Sequence, residues 1–174
     1  DNGYNWFIQD SANDPACATT ISPAIAIDST DTIYMVYRDD VVVNSLYYVT
    51  FSTTTGLFSA ESLLMGGTGS QKLSVDISID SNDKPHVVFT QSVVGEYYQV
   101  VYSNLVTTTW TGVTVETTSS YGVTVSRAVI SISDEDIPEI SYIHMGDSDL
   151  TAAVGNQNNA NSFTLQDVDN DVNI

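Results

Sequence analysis

The sequence is poor in basic residues, in cysteine and in long apolar runs. Lysine and arginine number 4 in 174 residues against 22 aspartates and glutamates, which gives a formal net charge of −18. Such a chain lacks the clustered cations that nucleic-acid backbones require, so we expect no nucleic-acid partner. Cys17 is the only cysteine, which excludes an intramolecular disulfide and a cysteine-based metal cluster. No apolar run approaches the roughly 20 residues of a membrane helix, so we expect no membrane span.

A repeat of about 52 residues organises what is present. Three related segments are "IDSTDTIYMVY" at 27–37, "IDSNDKPHVVF" at 79–89 and "ISDEDIPEISY" at 132–142. Four aromatic residues follow the same period, with separations of 52, 52 and 53: Trp6, Phe58, Trp110 and Phe163. Two independent registers in phase indicate a true tandem repeat, which is typical of modular β architectures.

The repeat unit predicts four antiparallel strands. An Asp/Asn/Ser turn joins the first two strands, because these side chains cap backbone N–H groups and tolerate left-handed backbone. Four strands per unit, repeated in tandem, predict an all-β fold of β-propeller blades within a single domain over 1–174. We predict an outer strand of a preceding blade at 4–9, followed by blades at 21–64, 73–116 and 126–168. A single long β-sandwich is the alternative.

Three blades are too few to close a ring, since propellers usually have about 4–8. Three explanations stay open. The chain is a piece of a longer propeller, or several chains complete a ring together, or free outer strands link chains into a filament. We therefore expect the partners to be other copies of the chain or the remaining blades of a longer one.

The repeats resemble a known family. "SPAIAIDSTDTIYMVYRDD" and "LSVDISIDSNDKPHVVFTQS" are similar to tandem blades of secreted bacterial and archaeal propellers of the sialidase-like, BNR-repeat kind. The resemblance implies an extracellular or cell-surface location. The Asp box of that family is degenerate here, because "SNLVTTTW" at 103–110 keeps Ser103, Thr109 and Trp110 but lacks the Asp and Gly. Such blades occur in enzymes, lectins and structural modules, so the resemblance implies fold more than activity.

One face of a propeller gathers the loops that usually carry function. We predict that a glycan or other ligand binds there through polar and aromatic side chains: Arg38, Asp39, Asp40, Glu96, Tyr121, His144, Asp147 and Asp149. Sialidase activity requires an arginine cluster, which Arg38 and Arg127 cannot form alone. We predict no catalytic residue. His86 and most strand tyrosines are interpreted as packing or hydrogen-bonding residues.

The aspartates have two interpretations. They form a solvated, self-repelling surface, or some of them bind Ca²⁺, which prefers carboxylate and carbonyl oxygens. The candidate Ca²⁺ ligands alternate near the C-terminus: Asp167, Asp169 and Asp171. The segment lacks the glycine and distal glutamate of a complete Ca²⁺ loop. No other cofactor is predicted.

Two functional hypotheses follow. The first is a non-enzymatic extracellular structural or adhesive module that self-assembles by blade completion between chains. The alternative is a carbohydrate-binding or glycoside-hydrolase-type propeller of which this chain is a fragment. The sequence does not decide between an enzyme and a non-enzymatic protein, and it favours the non-enzymatic one.

Overall fold

The protein is all-β and antiparallel in a computed structural model that describes residues 20–39, 45–66, 72–93, 97–118, 125, 127–144, 150–156 and 159–168. No helix occurs in these ranges. Within them, accordingly, no helix has the length and hydropathy needed to cross a bilayer. The all-β prediction is confirmed for the part of the chain that the structure describes.

The strands form three successive antiparallel sheets. Sheet 1 contains β1 (Thr20–Ile27), β2 (Thr32–Asp39), β3 (Ser45–Ser52), β4 (Leu57–Phe58) and β5 (Ser62–Met65). Sheet 2 contains β6 (Lys72–Ile79), β7 (Pro85–Val93), β8 (Tyr97–Val106) and β9 (Thr109–Thr117). Sheet 3 contains β10 (Val129–Ile132), β11 (Pro138–Ile143), β12 (Leu150–Asn156) and β13 (Asn159–Asp167). Strands adjacent in sequence pair within each sheet, except that β4 and β5 both pair with β3 and together form the outer strand.

The turn between the first two strands of each sheet has the same structure. Asp31, Asp83 and Asp136 adopt a positive φ of 60–61°, which aspartate tolerates better than most residues. In sheet 2 the Asp80 carboxylate accepts the N–H groups of Asn82 and Lys84 at 2.9 and 2.8 Å. Equivalent bonds reach Asp28 in sheet 1 and the Ser133 hydroxyl in sheet 3. The predicted capping and left-handed turns are confirmed.

These turns also bind one another from sheet to sheet. The Ser29 backbone N–H and hydroxyl both donate to the Asp83 carboxylate at 2.7 Å. The Ser81 N–H and hydroxyl donate in the same way to Asp136, at 2.8 and 2.7 Å. We call each pair a Ser–Asp clasp. Each clasp joins the serine of one sheet to the aspartate of the next, so the contact has a direction along the chain.

Sheet 2 is buried on both faces. Residues Pro85–Thr90 of β7 are all buried. Phe89 belongs to a core cluster shared with sheet 1, whereas Val88 belongs to the cluster shared with sheet 3. Because side chains alternate across a strand, one strand supplies both interfaces. A near-continuous apolar run is typical of a strand buried in this way.

His86 has the predicted hydrogen-bonding role. Its side chain is 6% exposed, its Nδ1 lies 2.6 Å from the Tyr102 hydroxyl, and its Nε2 lies 3.2 Å from Asp80 Oδ2. Buried polar groups need such partners, since an unsatisfied one costs about 1–3 kcal/mol. The prediction that strand tyrosines pack between sheets is confirmed at Tyr102 and Tyr142, each 1% exposed.

The described residues do not form a closed ring. Sheet 1 packs on sheet 2, and sheet 2 packs on sheet 3, but the outer faces of sheets 1 and 3 carry exposed apolar side chains such as Ile25 and Val129. The predicted strand at 4–9 lies outside the described residues.

The Ser–Asp clasp stabilises the contact between sheets, and the repeat offers a matched control. We expect Asp83→Asn to lower the free energy of unfolding by about 1 kcal/mol, because the clasp loses its charge-assisted bonds. Asp31→Asn changes the same turn position without breaking a clasp and should have a much smaller effect. Urea unfolding of both variants measures the difference, and equal losses would contradict the role of the clasp.

The same contact predicts a dependence on pH. The hydrogen bonds from Ser81 hold the pKa of Asp136 below its ordinary value of 3.8. Stability from the ionised carboxylate is therefore present above pH 3.8 and is lost as the pH falls through the lower folded value. Wild type and Asp136→Asn should differ in Tm above pH 3.8 and converge in stronger acid. A constant difference down to the lowest pH would contradict this account.

Candidate functional site

The candidate site lies at the end of the sheets where β2, β7 and β11 finish and β3, β8 and β12 begin. We call this the loop-bearing end. The clasp-forming turns lie at the opposite end. Among the described residues, two polar clusters occur at the loop-bearing end, one on each face of sheet 2.

The first cluster is a polar row that crosses all four strands of sheet 2. Lys72 Nζ donates to Gln91 Oε1 at 2.7 Å, and Gln91 Nε2 donates to Gln99 Oε1 at 2.8 Å. Gln99 Nε2 then donates to the Thr117 hydroxyl at 3.1 Å. Direct strand pairing places these four side chains on one face of the sheet. Each link satisfies a polar group at the edge of the apolar core.

Sheet 1 joins this row through Arg38. The guanidinium donates from Nη1 to the Lys72 carbonyl oxygen, which links β2 to β6. Both cationic residues are buried, at 8% and 3% exposed. Burial lowers the pKa of Lys72, and its ammonium also lies 5.7 Å from the centre of the Phe89 ring. Arg38 therefore links sheet 1 to sheet 2, whereas the Lys72 side chain links β6 to β7 within sheet 2.

The second cluster forms between sheets 2 and 3. Glu116 on β9 accepts a hydrogen bond from the Tyr142 hydroxyl on β11 through Oε2. Its Oε1 lies 3.1 Å from His144 Nε2, which is not aligned for a hydrogen bond. Tyr142 and His144 are two residues apart and share a side of their strand. We call this the Glu116 cluster.

The Glu116 cluster combines a buried donor with partly open polar groups. The side chains of Glu116 and His144 are 19% and 18% exposed, whereas Tyr142 is 1% exposed. Burial, together with the hydrogen bond to Glu116, raises the pKa of Tyr142 well above its usual range. Tyr142 therefore stays protonated at neutral pH and holds the carboxylate in place. His144 adds an imidazole ring beside this carboxylate.

The residue at the position of Glu116 differs between sheet 2 and sheet 1. Glu116 pairs with Val100 beside a β-bulge, and Met65 pairs with Leu46 beside the equivalent bulge in sheet 1. An acidic side chain therefore replaces an apolar one at this position of the outer strand. Such a replacement has no packing advantage, since a part-buried carboxylate must be desolvated and paired.

The structure describes few of the predicted ligand-binding residues. Arg38 is buried in the contact with Lys72, and His144 lies in the Glu116 cluster. Asp39 ends β2, but its side chain lies outside the described part. The remaining predicted positions also fall outside it: Asp40, Glu96, Tyr121, Asp147 and Asp149.

The predicted Ca²⁺ ligands are only partly described. Asp167 is exposed at the end of β13, while Asp169 and Asp171 lie outside the described residues. Among the residues that are described, no group of three or more His, Cys, Asp and Glu side chains is arranged to hold a metal ion. Ca²⁺ binding at this segment stays a prediction.

Sequence reasoning missed Glu116 and Tyr142 as site residues. Tyr142 was assigned to packing because it recurs at the positions of Tyr37 and Phe89. The available signal was Glu116 itself, an acidic residue inside the alternating strand "TWTGVTVET". Its partner on a strand 26 residues away is not visible in the sequence.

Comparison with known proteins identifies a likeness of fold. No protein-family model matches the chain, and no curated protein matches its sequence. Among solved structures, the chain is similar to an ulvan lyase of polysaccharide lyase family PL25, bound to -[GlcA(1-4)Rha3S]-. The TM-score is 0.62 at 13% identity, over 84% of this chain and 42% of the lyase chain. At this identity the likeness shows the fold, and the chain spans less than half of the lyase.

Tyrosine titration tests the environment of the Glu116 cluster. Burial raises the pKa of both Tyr142 and Tyr102 above the ordinary value of 10.0. Stability from the two neutral phenols is complete below pH 10 and is lost as the pH rises further. In ultraviolet titration we expect Tyr142 and Tyr102 to ionise only with alkaline unfolding.

Single substitutions assign these late steps. Tyr142→Phe and Tyr102→Phe should each remove one late-ionising group. Ionisation of all tyrosines before unfolding would contradict the buried hydrogen bond to Glu116.

Proposed function

We propose that this chain is part of a carbohydrate-binding β-propeller and that the Glu116 cluster marks its glycan site. Three tandem antiparallel sheets of four-stranded type, packed face to face, support the propeller assignment. The fold likeness to a polysaccharide lyase favours a carbohydrate ligand over other classes. The resemblance of the repeats to secreted propellers supports an extracellular location.

The observation that carries the proposal is the position of the Glu116 cluster. A glycan is recognised by acceptors and donors that meet its hydroxyl groups at a partly open surface. Glu116 offers a carboxylate acceptor and His144 an imidazole ring at the loop-bearing end, and Tyr142 orients the carboxylate from below. Tyr97, 38% exposed at the start of β8, offers an aromatic ring at the same end.

The charge distribution bears on the kind of glycan. The net charge of −18 repels polyanions at low ionic strength. Arg38 and Lys72 are buried, which leaves Lys84 and Arg127 as the exposed cations among the described residues. Lys84 lies at the turn end, whereas Arg127 follows the bridge between Val125 and His144 by two residues. An acidic sugar would therefore be bound near Arg127, and neutral sugars face no such restriction.

A polysaccharide lyase activity is the second candidate. Elimination beside a uronate carboxylate needs a base for the proton and a group that neutralises the carboxylate. In the Glu116 cluster His144 is the candidate base, because the raised pKa of Tyr142 keeps that phenol protonated. Arg127 is the candidate counter-charge.

A non-enzymatic structural or adhesive role stays a prediction. In this role, exposed apolar side chains of the outer sheet faces, such as Ile25 and Val129, form the contacts with other proteins. Contiguous exposed apolar surface is typical of protein contacts. This role and glycan binding use different parts of the chain, so one does not exclude the other.

Binding to a polysaccharide panel tests the proposal. The panel contains neutral polymers and uronate polymers, including the repeat -[GlcA(1-4)Rha3S]-, with unsaturated product formation followed by ultraviolet absorbance. We expect binding to at least one polymer, reduced about tenfold or more by Glu116→Gln and by His144→Ala, since each removes a polar contact worth about 1–3 kcal/mol.

Lys84→Ala is the matched control, because this exposed residue lies at the opposite end of sheet 2. It should leave neutral-glycan binding unchanged. The proposal is overturned if no polymer binds, or if Lys84→Ala weakens binding as much as the Glu116 cluster variants. Product formation that His144→Ala abolishes would establish the lyase candidate.

A further inference from the structure

The outer face of sheet 1 is equivalent, in the repeat, to the faces through which sheet 2 packs on sheet 1 and sheet 3 packs on sheet 2. Ile77 of β6 and Ile130 of β10 occupy the same repeat position and are 6% and 9% exposed in the two interfaces. Ile25 of β1 is their equivalent and is 61% exposed. The residue two further along, Ile27, is 58% exposed. Sheet 1 therefore presents a docking face that nothing covers in the described structure.

The turn of sheet 1 also presents an aspartate of the kind that accepts the hydrogen bonds of a clasp, and it does so towards the same side as the uncovered face. Asp83 and Asp136 each accept two hydrogen bonds from the serine of the preceding sheet. Asp31 has the same position in the turn and the same backbone geometry, with φ 61°. Its carboxylate is exposed and has no hydrogen-bond donor among the described residues. Within the described part of the chain, the uncovered apolar face and the unused acceptor match the two contacts that a preceding sheet makes.

Sheet 3 does not provide that neighbour from a second copy of the chain. The clasp serine of sheets 1 and 2 is replaced by Asp134, which cannot donate a hydroxyl and would repel Asp31. The face of sheet 3 that would pack on sheet 1 also differs from the equivalent face of sheets 1 and 2. Ser141 stands where those sheets have Val36 and Val88. Glu139 stands where they have Tyr34 and His86. Sheet 3 thus lacks the residues through which sheets 1 and 2 bind the sheet that follows them.

We propose that the open face of sheet 1 binds a further four-stranded sheet of this repeat type, supplied by a partner other than a second copy of this chain. The partner sheet carries serine at its turn, which donates its N–H and hydroxyl to Asp31. It also carries large apolar side chains on the face that covers Ile25. This contact continues the interface already formed between sheets 1 and 2 and between sheets 2 and 3.

Converting sheet 3 into such a partner tests the proposal with the full chain. The variant Asp134→Ser, Glu139→Tyr, Ser141→Val copies the residues that sheet 1 presents to sheet 2. Because it supplies both the hydroxyl and the apolar face, we expect it to self-associate at least tenfold more tightly than wild type in sedimentation equilibrium. Adding Asp31→Ala or Ile25→Asp to this variant should return association to the wild-type level.

Two controls separate the clasp from general effects of charge and stability. Glu135→Ser removes one charge from the same turn at a neighbouring position and should not increase association. Circular dichroism confirms that each variant is folded. The proposal is overturned if the triple variant associates no more tightly than wild type, or if its association survives Asp31→Ala and Ile25→Asp. It is also overturned if wild type already self-associates and Ile25→Asp abolishes this.

Discussion

A four-stranded meander with two apolar faces cannot be stable alone, and this constraint governs the whole structure. The central strand of sheet 2 shows it most directly, because Phe89 packs towards sheet 1 and Val88 packs towards sheet 3. Burying one face against each neighbour removes both from water. The hydrogen-bonded turns then set the direction in which the sheets follow one another. The stack is therefore a sequence of equivalent interfaces rather than one central core.

The position of the candidate site follows from the same alternation of side chains. Thr117 and Glu116 are consecutive residues of β9, so they face opposite neighbours. Thr117 ends the polar row that helps to hold sheet 1, and Glu116 meets Tyr142 and His144 of sheet 3. One face of the sheet uses its polar groups to complete a structural contact. The other leaves a carboxylate and an imidazole partly open to solvent.

Repetition is what made the fold predictable from the sequence. The turn aspartates recur at fixed spacing, so their capping bonds and left-handed backbone follow from local chemistry at Asp31, Asp83 and Asp136. The site was less predictable because it arises where the repeat is broken. Glu116 becomes a site residue through its hydrogen bond from Tyr142 across the interface between sheets 2 and 3, and no local sequence pattern reveals that contact. Arg38 illustrates the reverse case, since a cation near a predicted loop instead donates to a backbone carbonyl.

Sheet 2 is held between two neighbours, and native-state hydrogen exchange measures this directly. Amides of β7, which is buried on both sides, should exchange most slowly and with the free energy of global unfolding. Amides of β1 and β13 should exchange faster, because β1 has one face that no described residue covers and β13 is an outer strand. Uniform exchange across the three sheets, or exchange of β7 faster than β1, would contradict the account.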